Sequence, residues 1–361
     1  MNPSVLEACV KGYSHIQSGK ECQDSCKSEK LQDGTLLLSV ADGHGSKSSP
    51  HSKDGSDIAV NVFCQTLSDL YLQNCGKRDE LIRFLNQEGN LRLAQALERK
   101  WKDRVYRTHV DMLHREVPTY DDGRENLSAL YRMYGTTLLG MVIAPDFFFV
   151  FQLGDGDIVY VDDRGVQNLV EADKLLGVES DSLCSQDAWK KAVSALYRRE
   201  WDQGMPYLFQ LSTDGFANSF VSDEEFHKTC AEYFEMLKQY GPEVVRANLE
   251  SWLDETSRLG CGDDTTALIA YFTDRPPEVS PGGEPLSEEA PQEEEPKECT
   301  QEPAEATQEQ ELPAEPVSEE QEMEYESNSD FTEMPQGEQA FWYSSSDDGQ
   351  WGMVSDLGLP D

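Results

Sequence analysis

Leu36-Leu37-Leu38-Ser39-Val40-Ala41-Asp42-Gly43-His44-Gly45-Ser46 is an apolar run halted by an aspartate and two glycines. Entered from the Asp33-Gly34 turn, the run reads as a buried strand. A carboxylate at the end of a buried strand is costly to desolvate unless positive charge meets it, and a metal ion is the usual answer. The flanking glycines let the backbone pass close to such an ion, so the Gly43 carbonyl is a further ligand candidate. Asp-Gly alone is a common turn, and the weight of the reading rests on its recurrence.

It recurs twice. Phe147-Phe148-Phe149-Val150-Phe151-Gln152-Leu153 runs into Gly154-Asp155-Gly156-Asp157, and Tyr207-Leu208-Phe209-Gln210-Leu211-Ser212-Thr213 runs into Asp214-Gly215. A last strand, Thr265 to Phe272, has Gly262-Asp263-Asp264 at its start instead. Antiparallel strands bring the end of one beside the start of the next, so Asp42, Asp155, Asp214 and Asp263 are expected to gather at one edge of a β-core. All-oxygen clusters suit hard cations such as Mg²⁺, Mn²⁺ or Ca²⁺. Four or five carboxylates exceed what one ion needs, which points to two ions sharing an aspartate and activating water for phosphoryl chemistry. No Walker-type loop, kinase motif set or Gly-x-Ser-x-Gly elbow is present.

Composition bounds the rest. The chain has 361 residues and a formal net charge of −39. From Pro276 to Asp361 there are 25 Asp or Glu against one Lys, a charge of −24, which leaves −15 for residues 1–275. Such acidity argues against nucleic acid and anionic membrane as partners. No run reaches the about eighteen apolar residues of a membrane helix, and the N-terminus lacks signal-peptide character. Nine cysteines without an export signal fit reduced thiols in the cytoplasm, and Cys22 and Cys26 lack the second pair a zinc site needs.

Along the chain, residues 5–30 read as an early strand followed by a polar loop. Two or three amphipathic helices follow between Ile58 and Val105, broken near Gly89, and then an exposed loop at 116–126. His109 and His114 are expected at the surface or partly packed. Residues 136–162 read as a β-meander, 172–204 as helical in part around Trp189, Val193, Leu196 and Tyr197, and about 222–239 and 242–258 as helices. Beyond Asp274 a Pro-, Glu- and Gln-rich segment lacks apolar periodicity and is expected to be a solvated linker ending in Phe341-Trp342-Tyr343 and Trp351, which read either as a short docking peptide or as a merely sticky disordered end. The division expected is a folded domain over 1–275 and an acidic tail over 276–361.

In order, Cys22-Gln23-Asp24, Val40-Ala41-Asp42-Gly43-His44-Gly45, Tyr134-Gly135-Thr136-Thr137, Leu153-Gly154-Asp155-Gly156-Asp157, Leu211-Ser212-Thr213-Asp214-Gly215 and Gly262-Asp263-Asp264-Thr265-Thr266 resemble the metal-dependent protein phosphatase 2C family, particularly its bacterial branch. The resemblance implies an α+β fold, an α-β-β-α four-layer sandwich of two antiparallel sheets flanked by helices. It implies a binuclear Mn²⁺ or Mg²⁺ centre that hydrolyses phosphoserine or phosphothreonine in proteins, in signalling opposite a cognate Ser/Thr kinase. Carried over by motif, Asp42 bridges both ions, and Asp214 and Asp263 hold the first. The Gly43 carbonyl and a water-linked Asp24 serve the second, and Asp155 with Asp214 would serve a third. His44 falls where some members place a general acid for the leaving alcohol. The family's phosphate-gripping arginine is missing. Lys20 stands nearby as its substitute, although a single ammonium cannot make a bidentate contact. The family's Gly-Asp-Ser-Arg appears as Gly154-Asp155-Gly156-Asp157. A monomeric phosphatase is the reading, and a pseudophosphatase scaffold on the same fold is the alternative.

Overall fold

The computed structural model describes residues 3–170, 181–198 and 207–273. Residues 172–180 and 199–204, and the acidic tail expected from residue 276, lie outside the described residues. The chain begins with β1 (Ser4–Val10), α1 (Tyr13–Ser18), β2 (Ser25–Lys30) and β3 (Leu36–Ala41). Helices α2 (Ser52–Gln73), α3 (Arg78–Glu88), α4 (Ala94–Arg107) and α5 (Leu127–Arg132) follow. A single π-helical turn at Gly89–Leu93 separates α3 from α4, at the break expected near Gly89. Then come β4 (Leu138–Ile143), β5 (Phe147–Leu153), β6 (Asp157–Asp162), β7 (Gly165–Asn168), β8 (Val193–Arg198) and β9 (Tyr207–Ser212). The series closes with α6 (Asp214–Ala217), α7 (Asp223–Tyr240), α8 (Pro242–Leu259) and β10 (Thr265–Phe272).

Two antiparallel five-stranded sheets result, in the orders β1-β10-β9-β6-β7 and β2-β3-β4-β5-β8. Side-chain alternation along each strand sorts the apolar residues into three layers. Leu36, Leu38 and Val40 of β3 join Leu139, Met141 and Val150 against Ile158, Phe209, Leu211, Leu268 and Ala270 of the other sheet. Their neighbours Leu37 and Ala41 point the opposite way, onto Phe63, Leu67, Leu97 and Trp101 of α2 and α4. On the far side, Leu6, Val159, Leu208 and Ile269 pack against Phe226, Phe234, Leu249 and Leu253 of α7 and α8. The fold is therefore the α-β-β-α sandwich, and uninterrupted apolar strands are its signature because both faces of each sheet are covered. Gly140 shows how closely the layers approach: a Cβ there would lie 2.2 Å from the Phe63 ring.

Sequence signals also account for where helices start. Ser222 caps α7 by accepting from the Glu225 backbone N–H at 3.3 Å, with Asp223 and Glu224 in the first turn. Gly241, at φ 81°, turns the chain into Pro242 at the first position of α8.

Three local readings are corrected. The polar loop expected before residue 30 contains α1 and β2; Ser-Cys-Lys-Ser-Glu-Lys has no apolar alternation, yet it pairs along all of β3 from Ser25↔Ala41 to Lys30↔Leu36. Residues 193–198 are strand rather than helix. The spacing of Trp189, Val193, Leu196 and Tyr197 imitates a helix, but pairing with β5 wins, with Tyr197 stacked on Phe148 at 4.7 Å between ring centroids. His109 is fully buried, not at the surface. Its Nε2–H donates to the Glu116 carbonyl and its Nδ1 accepts from the Tyr134 hydroxyl, both at 3.0 Å.

Candidate metal centre

The register of β2 against β3 sets Ser25 opposite Ala41, so Asp24 and Asp42 leave the same end of one sheet side by side. In the other sheet β9 and β10 pair Ser212 with Ala267, and the Thr213 N–H donates to the Thr266 carbonyl at 3.2 Å. Asp214 and Asp263 therefore leave that sheet together. Gly215 shows how close these loops are: a Cβ on it would lie 2.0 Å from the Asp264 carbonyl oxygen and 3.4 Å from the Asp263 Cβ.

Asp24 ties the two sheets together. Its side chain is buried, and Oδ2 accepts from Thr213 Oγ1 at 2.7 Å and Thr266 Oγ1 at 2.8 Å. Oδ1 is buried with no hydrogen-bond partner. Burial pushes the Asp24 carboxyl well above the usual carboxylate range, followed by the nearby Cys9 charge, against the pull of the two threonine hydroxyls. Asp42 is pushed up as well, first by burial and then by the charges of Asp24, Asp214 and Asp263 facing it. Three carboxylates whose charges raise Asp42, one of them with a lone oxygen, make this edge short of positive charge. A hard divalent cation with oxygen ligands fits that donor set.

The loop carrying Asp42 is fixed by its backbone. Its N–H donates to Thr137 Oγ1 at 2.9 Å, and its carbonyl accepts from the Thr137 N–H and Thr136 Oγ1, both at 2.8 Å. With His44 N–H bonded to the Gly135 carbonyl at 3.1 Å, Gly43 and Thr136 form the wide pair of an antiparallel bridge. The Gly43 carbonyl therefore points away from Thr136. A Cβ on Gly43 would stand 2.7 Å from the Ser52 carbonyl oxygen and 2.8 Å from that of Gln23, so only glycine fits.

The remaining sequence candidates lie around this cluster. The half-buried His44 ring rests over Gly135, where a Cβ would come within 2.6 Å of its Cδ2. Lys20 Nζ donates to the Gly45 carbonyl at 3.1 Å and so braces the Asp42 loop. Asp155 occupies the turn between β5 and β6, where a Cβ on the next residue, Gly156, would lie 2.5 Å from the Ser212 carbonyl oxygen, which brings the turn to the same edge. The charges that act on Asp42 come from the other three aspartates.

Sequence reading overlooked three groups. Lys53 Nζ donates to the Asp24 carbonyl at 3.0 Å, to Ser25 Oγ at 3.0 Å and to Asp57 Oδ1 at 3.1 Å, so it clamps the backbone that presents Asp24. Asp264 is buried; its Oδ1 accepts from the Gly12 N–H at 2.7 Å and from His15, and its Oδ2 accepts from the Gln23 N–H at 2.6 Å. His15 stands between Asp263 and Asp264. Only the pairing of a lone histidine near one motif with the doubled acid of another could have signalled this contact, and the two lie about 250 positions apart. Cys22, set aside as a zinc ligand, faces the Cys9 thiol at 3.5 Å.

Comparison with known proteins adds family information. A family model described as Protein phosphatase 2C matches residues 11–254, a stretch that ends before Asp263. Serine/threonine-protein phosphatase 3 of Escherichia coli (strain K12) is 28% identical over 171 residues, 46% of this chain and 56% of that protein. The chain thus spans about half the length of this curated relative. Among solved structures, the catalytic domain of the serine/threonine protein phosphatase PstP in complex with two manganese ions is 15% identical, with a TM-score of 0.45, over 75% of this chain and 99% of that one. PppA, a regulatory component of the type VI secretion system in Pseudomonas aeruginosa, is 15% identical with a TM-score of 0.44 over the same shares.

Proposed function

Because the chain belongs to the protein phosphatase 2C family, we propose that it hydrolyses phosphoserine and phosphothreonine esters in proteins at a binuclear Mn²⁺ or Mg²⁺ centre. The observation that supports this reading is the charge of Asp24, Asp214 and Asp263, which leave both sheets at one edge, acting on Asp42, with Asp24 Oδ1 buried and lacking a hydrogen-bond partner. In this reading Asp42 would be the ligand common to two ions, Asp214 and Asp263 would hold one, the Gly43 carbonyl and a water-linked Asp24 would serve the other, and Asp155 with Asp214 would serve a third. Such a pair supplies a water of lowered pKa as nucleophile and neutralises charge on the phosphoryl oxygens.

The chain's own residues do the rest. Thr136 and Thr137 hold the Asp42 backbone through three hydrogen bonds, so the carboxylate is presented without reorganisation. His44, two residues on, is the donor of the proton that the departing serine or threonine oxygen requires. Lys20, at the Gly45 carbonyl, is the cation available to a substrate phosphate from that side. Phosphoproteins are the substrates, a Ser/Thr kinase acts in opposition, and the cytoplasm is the compartment. The acidic segment from residue 276 is a separate tail that docks a protein partner through Phe341, Trp342 and Trp351.

The test is hydrolysis of a phosphothreonine peptide by the full chain with Mn²⁺, with and without EDTA, beside Asp42→Asn and Asp214→Asn. The expected result is turnover abolished by chelator and reduced at least a thousandfold by either substitution, since each removes a metal-holding carboxylate. Equal turnover in EDTA overturns the reading and leaves a binding module on the same fold.

A further inference from the structure

The segment Gly12–His15 is fastened by three contacts to the loop that carries Asp263 and by one to Ser257 in the last turn of α8. Gly12 N–H donates to Asp264 Oδ1 at 2.7 Å, Tyr13 N–H to Ser257 Oγ at 3.1 Å and Ser14 N–H to the Gly262 carbonyl at 2.9 Å. The fourth is His15 itself, whose ring is nine-tenths buried and places Nδ1 at 2.9 Å from Asp264 Oδ1. Three donors converge on the Asp264 carboxylate, which acts purely as acceptor, so the imidazole proton resides on Nδ1. His15 Nε2 is thereby turned toward Asp263, with 3.6 Å between Nε2 and Oδ1.

That separation is too long for a hydrogen bond. It is the spacing of two ligands of one four-coordinate ion, about 3.4–3.6 Å at metal distances of about 2.1 Å, and lies about 0.6 Å outside the roughly 3.0 Å of neighbouring octahedral ligands, a gap that a small turn of the exposed Asp263 side chain closes. A carboxylate behind the other ring nitrogen is the arrangement that orients metal-bound histidines. His15, Asp263 and Asp264 each bring a ligand atom within 4.8 Å of the others, and next to them the edge around Asp42 carries the buried, unpartnered Asp24 Oδ1. We propose that His15 Nε2 and Asp263 Oδ1 ligate the same metal ion, with Asp264 orienting the imidazole.

The proposal rests on the reading of Asp263 as a metal ligand and deepens it. One ion of the centre then has a mixed nitrogen and oxygen donor set, which favours Mn²⁺, Fe²⁺ or Zn²⁺ over Mg²⁺ at that position, because imidazole discriminates among these ions where carboxylate does not.

The experiment is pulsed EPR of the full chain loaded with Mn²⁺, prepared with natural-abundance and with ¹⁵N-labelled histidine, alongside titration calorimetry with Mn²⁺ and with Mg²⁺. The wild type is expected to show imidazole nitrogen coupling that changes on labelling, persists in His44→Ala and disappears in His15→Gln. His15→Gln should weaken Mn²⁺ binding at least tenfold and Mg²⁺ binding less than threefold. The labelled wild type answers even where a substituted chain fails to fold. Bound Mn²⁺ without histidine coupling, or coupling that survives in His15→Gln, overturns the proposal, and His15 is then a structural link between the Gly12 segment and Asp264. Lack of coupling with Mn²⁺-dependent hydrolysis intact removes only the His15 ligand. Coupling without hydrolysis removes the phosphatase reading and leaves the ligand in place.

Discussion

Asp264→Asn should destabilise the domain far more than its size suggests. The carboxylate receives Gly12 N–H and His15 Nδ1–H on one oxygen and Gln23 N–H on the other, at 2.7, 2.9 and 2.6 Å. An amide offers one oxygen and one NH₂ group. With its oxygen toward Gly12 and His15 it sets NH₂ against the Gln23 N–H, and flipped it sets NH₂ against the Gly12 N–H. Either way a buried backbone donor loses its acceptor, at about 1–3 kcal/mol. The surviving bonds also lose charge assistance, at roughly 0.5–1 kcal/mol each. The easier burial of a neutral amide offsets part of this, for a net loss of about 2–4 kcal/mol, or roughly 5–12 °C in Tm for a domain of this size. The assay is urea and thermal unfolding of the full chain in EDTA, which removes metal linkage from the comparison. Asp263→Asn is the control. Its side chain is 56% exposed and accepts the Asp264 N–H at 2.8 Å, so it should cost under about 1 kcal/mol. An Asp264→Asn loss below about 1 kcal/mol, or equal to that of Asp263→Asn, would refute the reasoning.

Arg78 grips Asp146 through Nε at 2.8 and 2.9 Å and Nη2 at 2.6 Å, and reaches Asp33 at 3.4 Å. Burial tends to raise the Asp146 carboxyl, but the Arg78 hydrogen bonds and charge outweigh it and hold it below its usual range. A lowered folded pKa gives stability that is present above the unfolded pKa of about 3.9 and lost as pH falls through the folded value. Arg78→Ala should therefore cost about 1 kcal/mol at pH 7, already discounted for the partial exposure of the pair, and progressively less as pH falls through the lowered Asp146 value; a pH-independent cost in urea titrations would contradict this. His44→Ala should lower kcat/KM on a phosphothreonine peptide at least a hundredfold but on an aryl phosphate less than tenfold, because the aryl leaving group needs no proton. Equal losses in steady-state kinetics would reduce His44 to a shaper of the loop. Truncation after residue 275 should leave Tm and aryl phosphate turnover unchanged, since the acidic segment lacks apolar periodicity; a chain that no longer folds would show the boundary to be misplaced.

The four-layer architecture was legible because covered sheets leave a plain mark: β3, β4, β6, β9 and β10 are buried at every position, and their sequences are nearly unbroken apolar runs. That Asp214 and Asp263 leave one sheet edge together was legible for a related reason, since antiparallel β9 and β10 bring a strand end to a strand start, whereas the approach of Asp42 depends on how the two sheets stack. What stayed hidden lacked that mark. β2 carries Lys27, Glu29 and Lys30 and is strand because β3 offers it hydrogen bonds, a fact of tertiary pairing. β8 was masked by an accidental helical spacing. Asp264 stood only as the second acid of its motif and His15 was not singled out, because a contact across about 250 positions has no local signal. Burial of His109 depends on Tyr134 and the Glu116 carbonyl arriving from a loop that reads as exposed.

The pairing of β1 with β10, Ser4 against Tyr271 through Val10 against Thr265, also sets a schedule. A ribosome makes the first strand of this sheet long before its neighbour exists. Until residues 265–272 emerge, β1 has no partner in the sheet, β9 has an open edge, and neither Asp263 nor Asp264 is available to the Gly12–Asp24 loop. The growing chain can build the helices over 52–107 and the β3-β4-β5 ladder from contacts of moderate separation, but the edge that carries Asp24 and Asp42 waits for the strands that bring Asp214, Asp263 and Asp264. On the proposed reading, hydrolytic competence is then withheld from every incomplete form of the domain, and a break before residue 263 yields a chain that holds much of the core without its proposed metal site. Closure across so long a separation is the slow kind, which makes insertion of β10 the expected final step of folding.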